Sequence, residues 1–160
     1  MIIRALGESD RPWAAALISE HFGSTRVVSR GVLHDALQLP GLGAVAEGTA
    51  VGLVLYRIVQ DECEVVVLIA AQPRHGIGRA LLDAVRQMAQ QAGCARLWLV
   101  TTNDNQAAQA FYHAQGMRQV AIHHGAVTQA RALKPEIPLV GEDGIPIEDE
   151  SEYESVLDRV

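Results

Sequence analysis

The stretch Cys63-Glu-Val-Val-Val-Leu-Ile-Ala-Ala-Gln-Pro-Arg-His-Gly-Ile-Gly-Arg79 decides how this chain is read. An apolar, β-branched run enters a turn with two glycines, and a helical pattern follows at once. Leu81, Leu82, Val85, Met88 and Ala92 recur at helical spacing. Strand, glycine turn and helix start together make an anion site. The first amides of a helix have no internal partner, and the helix dipole places partial positive charge there. Gly76 and Gly78 let a ligand approach the main chain, and Arg74, His75 and Arg79 add charge. The stretch reads as a pyrophosphate cradle. A plain strand-to-helix turn uses glycine in the same way, so the spacing alone does not decide. Two nucleotide motifs are excluded. Gly78 is followed by Arg79 and Ala80 rather than Lys-Ser/Thr, and Leu81 stands where a dinucleotide fingerprint needs a small residue.

Working outward, Cys63 to Ala70 closes a three-stranded meander with Ala44 to Glu47 and Val51 to Val59, which a Glu-Gly-Thr turn joins. Upstream, Ile2 to Leu6 is a first strand. Asp10 caps a helix carrying Trp13, Leu17, Ile18 and Phe22, and Gly23 ends it. Between Ser24 and Gly43, Val27-Val28 reads as a brief extended piece and Gly31 to Leu39 as a short second helix. Arg30 and His34 in this connection are candidate substrate contacts. Downstream, the helix from Arg79 stops at Gly93, and Ala95 to Thr101 is a buried strand. A helix capped by the Asn103-Asp104-Asn105 group runs to about Gln115, and Met117 to Ile122 is another strand.

Length and composition narrow the class. A chain of 160 residues, 49% hydrophobic, suits one core. Residues 1–125 read as that core and 126–160 as an extended segment with an acidic tail completing the same domain. Ala50 to Tyr56 and Val65 to Ala71 are too short to cross a bilayer, so no membrane role is expected. The first residues lack a signal-peptide layout. Two cysteines, Cys63 and Cys94, fit neither a disulfide framework nor a zinc spacing. A reduced, cytoplasmic protein without a metal is expected. His123-His124 lacks further ligands at a sensible spacing. The net charge is −6, and from Gly141 onward eight acids face one base, Arg159. The remainder is nearly neutral, which argues against a nucleic-acid partner.

Two segments resemble the GNAT superfamily, the N-acetyltransferases that use acetyl-coenzyme A. Gln72 to Leu82 is similar to the family's pyrophosphate loop and following helix. Thr101 to Met117 is similar to its Asn-x-x-Ala-x-x-Phe-Tyr-x-x-x-Gly-Phe stretch. Together, in order, they are specific, and the resemblance covers roughly Met1 to Ile122. One departure stands out: Pro73 occupies the place of the loop's usual Arg/Gln. The tail from Arg131 to Glu150 resembles the ending of a bacterial subset of the superfamily.

The resemblance implies an α/β fold with a mixed, mostly antiparallel sheet flanked by helices and splayed at the cofactor site. It implies a last strand around Glu152 to Leu157 beside Met117 to Ile122. It also implies acetyl transfer from acetyl-CoA to a primary amine of a small molecule or peptide, by direct attack. Backbone of Leu68, Ile69 and Ala70 would bond the pantetheine. Arg74, His75, Gly76, Ile77, Gly78, Arg79 and Ala80 would hold the pyrophosphate, with Asn103 and Asn105 as further cofactor contacts. Tyr112 is the candidate acid, also touching the sulfur, because a phenol can protonate a departing thiolate. Glu64 is the candidate base. Alternation places it with Glu62, Val66 and Leu68 on one strand face. Competing readings are a non-catalytic acyl-CoA-binding domain and an interaction protein acting through the acidic tail. A homodimer formed by strand exchange or edge pairing is compatible with the layout.

Overall fold

The computed structural model describes residues 1–72 and 75–158. The fold is α/β, with a mixed sheet of seven strands flanked by helices among the described residues. The chain divides into two compact units. The first comprises Met1–Val27, Asp35–Leu97 and the chain from Val156; the second comprises Val28–His34 and Trp98–Ser155.

In the first unit, β1 (Ile2–Ala5), β4 (Gly41–Ala46), β5 (Thr49–Val59) and β6 (Glu62–Ala70) pair in that order, all antiparallel. Glu47 and Gly48, with φ of 51° and 76°, make the tight turn between β4 and β5. Helix α1 (Arg11–Phe22) starts with Pro12 in its first turn and ends at left-handed Gly23. Its Ala14 and Ile18 pack on Leu53, Leu55, Val67 and Ile69, which form one face of β5 and β6. Helix α2 (Ile77–Gln91) buries Ile77, Leu81, Leu82, Val85 and Ala89. It begins at Ile77, two residues before the expected start, and Ala89 replaces Ala92 on the packed face.

Gly52 fixes the seat of α2. A Cβ there would stand 2.8 Å from Ile77 Cγ2, 2.7 Å from the Ile69 carbonyl and 3.1 Å from Leu81 Cδ1. Only a residue without a side chain lets the first turn of α2 come down onto β5.

The expected helix over Gly31 to Leu39 is not formed. The chain instead makes a hairpin of β2 (Arg26–Ser29) and β3 (Val32–Asp35), followed by a 3₁₀ turn at Ala36–Gln38. The reason is local. Arg30 and Gly31 both take positive φ, 47° and 77°, the signature of a two-residue hairpin turn between β-branched flanks. Asp35 then accepts a hydrogen bond from the Leu37 amide and stops the strand.

The second unit holds most of β7 (Arg96–Thr102), then α3 (Gln106–Ala114), β8 (Arg118–His123), a short α4 (Ala126–Ala130) and β9 (Glu150–Val156). Its strand order is β7-β9-β8, and β8 pairs antiparallel with β9. The tail therefore supplies an inner strand, beginning two residues before the expected Glu152. Arg131 donates to the carbonyls of Ile137, Pro138 and Ile147, and the Val127 amide donates to the Glu148 carbonyl.

Candidate active site

In the first unit, the site elements are the end of β6 and the start of α2. The turn residues Pro73 and Arg74 lie outside the described residues, so the Arg74 expectation is not placed. Gly76 is left-handed, with φ 72°, and among the described residues no side chain caps α2. Helix geometry leaves the amides of Ile77, Gly78 and Arg79 without intrahelical acceptors. The Ala80 amide is spent, because it donates to the Gly76 carbonyl at 3.0 Å. Ala80 is thus corrected from phosphate donor to the residue that closes the first helical turn. The Ile77 side chain is buried, so only its backbone faces a ligand. His75 and Arg79 are exposed, and Arg79 approaches Asp83 one turn along at 3.9 Å. The arrangement fits a diphosphate: helix-start amides, a left-handed glycine and the exposed side chains of His75 and Arg79.

The register sorts the β6 backbone. The Ala71 amide donates to Val51 at 2.7 Å, and Leu53 lies opposite Ile69. Successive residues of a strand turn their main-chain groups to alternate sides. Ile69 therefore spends its groups on β5, while Leu68 and Ala70 turn theirs away from β5. Of the three expected backbone contacts, Ile69 is corrected to a sheet-pairing and core residue; its side chain is buried against α1.

A bulge also moves Glu64. Leu55 pairs with Val67 and Tyr56 with Val65, leaving Val66 as the extra residue. Alternation breaks there. Glu64 pairs with Arg57, on the face of Leu55 and Val67, and not on the face of Leu68. Glu64 is only 3% exposed, and its Oε1 lies 3.3 Å from Arg57 Nε. It is a buried, ion-paired carboxylate on the face that α1 covers. On that same face a cavity of about 420 Å³ is bounded by Leu6, Ala14, Ile18, Leu37, Leu39 and Leu55. None of the candidate site residues lines it.

Cys63 is fully buried, and burial pushes its thiol up to about 12. Such a thiol stays protonated and is a packing residue.

In the second unit, Tyr112 lies on α3, half-buried, with its ring 5.4 Å from Phe111 in an edge-to-face contact and 6.0 Å from Tyr153. Burial pushes its phenol up to about 12. The hydroxyl has no hydrogen-bond partner among the described residues. Asn105 is the N-cap: its Oδ1 accepts from the Ala108 amide at 3.0 Å, leaving Nδ2 for a ligand. Asn103 is different. Its Oδ1 accepts from the amides of Glu148 and Asp149, and its Nδ2 donates to the Pro146 carbonyl. Asn103 is corrected from cofactor contact to anchor of the tail, since its amide is consumed by backbone. Asp104 reinforces the anchor by accepting from Thr102 Oγ1 and the Glu142 amide.

The two candidate substrate residues stand on the β2–β3 hairpin. His34 is buried, and Arg30 reaches the buried Glu150 at the start of β9. Sequence reasoning missed Glu150, because an acid within an acidic tail carries no signal of burial. His123 and His124 turn to separate carboxylates, Glu152 and Asp149. Among the described residues, no cluster of three or more His, Cys, Asp or Glu is placed to hold a metal ion, and no helix is long and apolar enough to cross a membrane.

The comparisons agree with this architecture. The model of the acetyltransferase (GNAT) family matches residues 12–117. The chain is 38% identical over 159 residues to uncharacterized protein YdhI of Bacillus subtilis (strain 168), covering 99% of each. Among solved structures, it resembles an IAA acetyltransferase from Bacillus cereus ATCC 14579, with TM-score 0.75, 20% identity and coverage of 98% and 99%. It also resembles a GNAT family acetyltransferase from Elizabethkingia anophelis with acetyl-CoA bound, with TM-score 0.74, 18% identity and coverage of 98% and 97%. The chain belongs to the GNAT acetyltransferase family. That membership indicates an acyltransferase.

Proposed function

We propose that the protein is an acetyl-CoA-dependent N-acetyltransferase acting on a primary amine by direct attack. The observation that carries this reading, beside family membership, is the passage from β6 into an uncapped α2 through left-handed Gly76. It supplies amides and, among the described residues, no side-chain cap that would compete with a diphosphate there.

Acetyl-CoA supplies the activated thioester. The amides of Ile77, Gly78 and Arg79 hold the pyrophosphate, with His75 and Arg79 screening its charge. The main-chain groups of Leu68 and Ala70 bond the pantetheine and face the developing oxyanion. The Asn105 amide is a further cofactor contact. Glu64, ion-paired with the Arg57 guanidinium, takes the proton of the attacking amine, directly or through water. Tyr112 gives its proton to the departing thiolate. In balance, a C–N bond forms, the C–S bond breaks, and one proton leaves nitrogen as another reaches sulfur.

The test is incubation with acetyl-CoA and a panel of primary amines and short peptides, following thiol release and the mass of the product. The reading predicts thiol release that depends on one class of amine, with one acetyl group gained. Acetyl-CoA binding without turnover on any amine would favour a non-catalytic acyl-CoA-binding domain.

A further inference from the structure

The cavity of about 420 Å³ under the start of α1 lies wholly within the first unit. Buried Ala14, Ile18 and Leu55 form its floor, and Leu6, Leu37 and Leu39 wall it. The polar groups around it are already spent. Asp10 accepts two bonds of 2.7 Å from Arg4, one from the Gly7 amide and one from Trp13 Nε1, and four donors fill the capacity of a carboxylate. Arg11 donates to the Leu37 carbonyl at 3.1 Å. The amides of Leu6, Leu39 and Tyr56 donate to the carbonyls of Gly41, Ala36 and Pro40. Glu8 and Gln38, the other polar side chains of the lining, are exposed. A ligand seated on this floor is therefore held by apolar contact. A cavity of about 150 Å³ lined by aliphatic side chains takes a benzene ring, so this one has room for a ring and a short arm.

Two strand links set the cavity beside Glu64. Leu55 and Arg57 lie two residues apart on β5, about 7 Å, and on one face of it, and Arg57 pairs with Glu64. Pro40 also lines the cavity, and its carbonyl accepts from Tyr56, whose partner across the ladder is Val65. The floor and the proposed base thus share the face that α1 covers.

We propose that this cavity seats the apolar body of the acceptor, and that the acceptor is an arylalkyl primary amine. Its ring lies on Ala14, Ile18 and Leu55, and its nitrogen turns along β5 toward Glu64. The acceptor role rests on the acetyltransferase reading; binding of the amine does not. On transfer, the nitrogen forms the C–N bond as the thioester C–S bond breaks, and its proton goes to Glu64. The floor offers no partner to the inner cations of a polyamine or the hydroxyls of an amino sugar, so such amines are selected against.

The test is calorimetric titration of the full-length protein with phenethylamine, with ethylamine as the control that lacks the ring. Phenethylamine should bind saturably, and ethylamine about tenfold or more weakly. The methyl resonances of Ile18, Leu39 and Leu55 should shift on addition, while those of Leu81 and Val85 on α2 hold. Leu39→Trp and Ala14→Leu each fill the cavity. Either should weaken phenethylamine about tenfold or more, with acetyl-CoA affinity within about twofold of the original. No saturable phenethylamine binding, equal affinity for the two amines, or unmoved Ile18 and Leu55 methyls overturns the proposal. So does undiminished binding in either folded variant. The methyl shifts need no variant and decide the matter if both fail to fold. Failure of the unaltered protein to bind acetyl-CoA contradicts the enzyme reading and leaves the phenethylamine result standing. With acetyl-CoA bound, the KM for phenethylamine should lie about tenfold or more below that for ethylamine, and Leu39→Trp should remove the preference while ethylamine turnover holds.

Discussion

The ring of Tyr112 leans on the ring of Tyr153, centroids 6.0 Å apart and planes tilted by 44°. Tyr153 is itself fixed, with its hydroxyl shared between Gln109 Oε1 at 3.5 Å and Gln119 Oε1 at 3.4 Å. α3 is thus braced by β9, and Tyr112 keeps its position through its ring while its hydroxyl stays unspent. Tyr112→Phe should preserve the bracing and remove only the proton. Turnover should fall about a hundredfold, with acetyl-CoA affinity within about twofold of the original. Steady-state kinetics alongside calorimetry checks this, and an unchanged turnover would remove Tyr112 from the chemistry.

The pH dependence follows from the same residue. An acid works in its protonated form, which exists below its pKa. Burial pushes the Tyr112 phenol up to about 12, so its contribution is present across the neutral and mildly alkaline range and is lost only as pH approaches about 12. Turnover should rise with pH as the acceptor amine deprotonates and then hold a plateau through about pH 10. A descending limb near pH 9 that disappears in Tyr112→Phe would contradict the assignment.

Gly52 is the tightest contact in the seat of α2. Gly52→Ala must displace either the Ile69 carbonyl or the first turn of α2. Overpacking of this kind costs about 1–3 kcal/mol, or roughly 3–10 °C in melting temperature for a chain this long. Because the displaced turn carries the proposed pyrophosphate amides, acetyl-CoA affinity should fall as well. Thermal melts with and without acetyl-CoA measure both effects.

The tail is anchored by one side chain making three hydrogen bonds. Asn103→Ala releases the amides of Glu148 and Asp149 and the Pro146 carbonyl. The expected loss is about 2 kcal/mol, read as a melting temperature about 4–8 °C lower. Hydrogen exchange at Glu148 and Asp149 should speed up, while the amides of β6 keep their protection. Unchanged exchange at those two residues would show that the anchor is dispensable.

Much of this fold was legible where local chemistry and tertiary structure agree. The run from Cys63 to Arg79 announced a strand, a turn and a helix, and the Asn-x-x-Ala-x-x-Phe-Tyr stretch announced α3. The last strand was placed within two residues of its start. The hairpin at Arg30-Gly31 was missed, although Glu47-Gly48, which makes the same kind of turn, was read correctly. An arginine at positive φ is an unusual turn residue, and the apolar spacing from Gly31 to Leu39 mimics a helix. The face of Glu64 was misassigned because a bulge at Val66 leaves no mark in the residue pattern. Asn103 was read as a ligand contact because its tail partners lie more than 40 positions away in the chain. α4 is too short to show a period, and its place depends on the distant Glu148 carbonyl.

The central claim is that the turn from β6 into α2 binds the diphosphate of a coenzyme A thioester. Calorimetric titration of the protein with acetyl-CoA, coenzyme A and ATP tests it most directly. The account predicts saturable binding of both coenzyme A species, with ATP much weaker. Absence of heat and of thermal stabilisation with either coenzyme A species would contradict it.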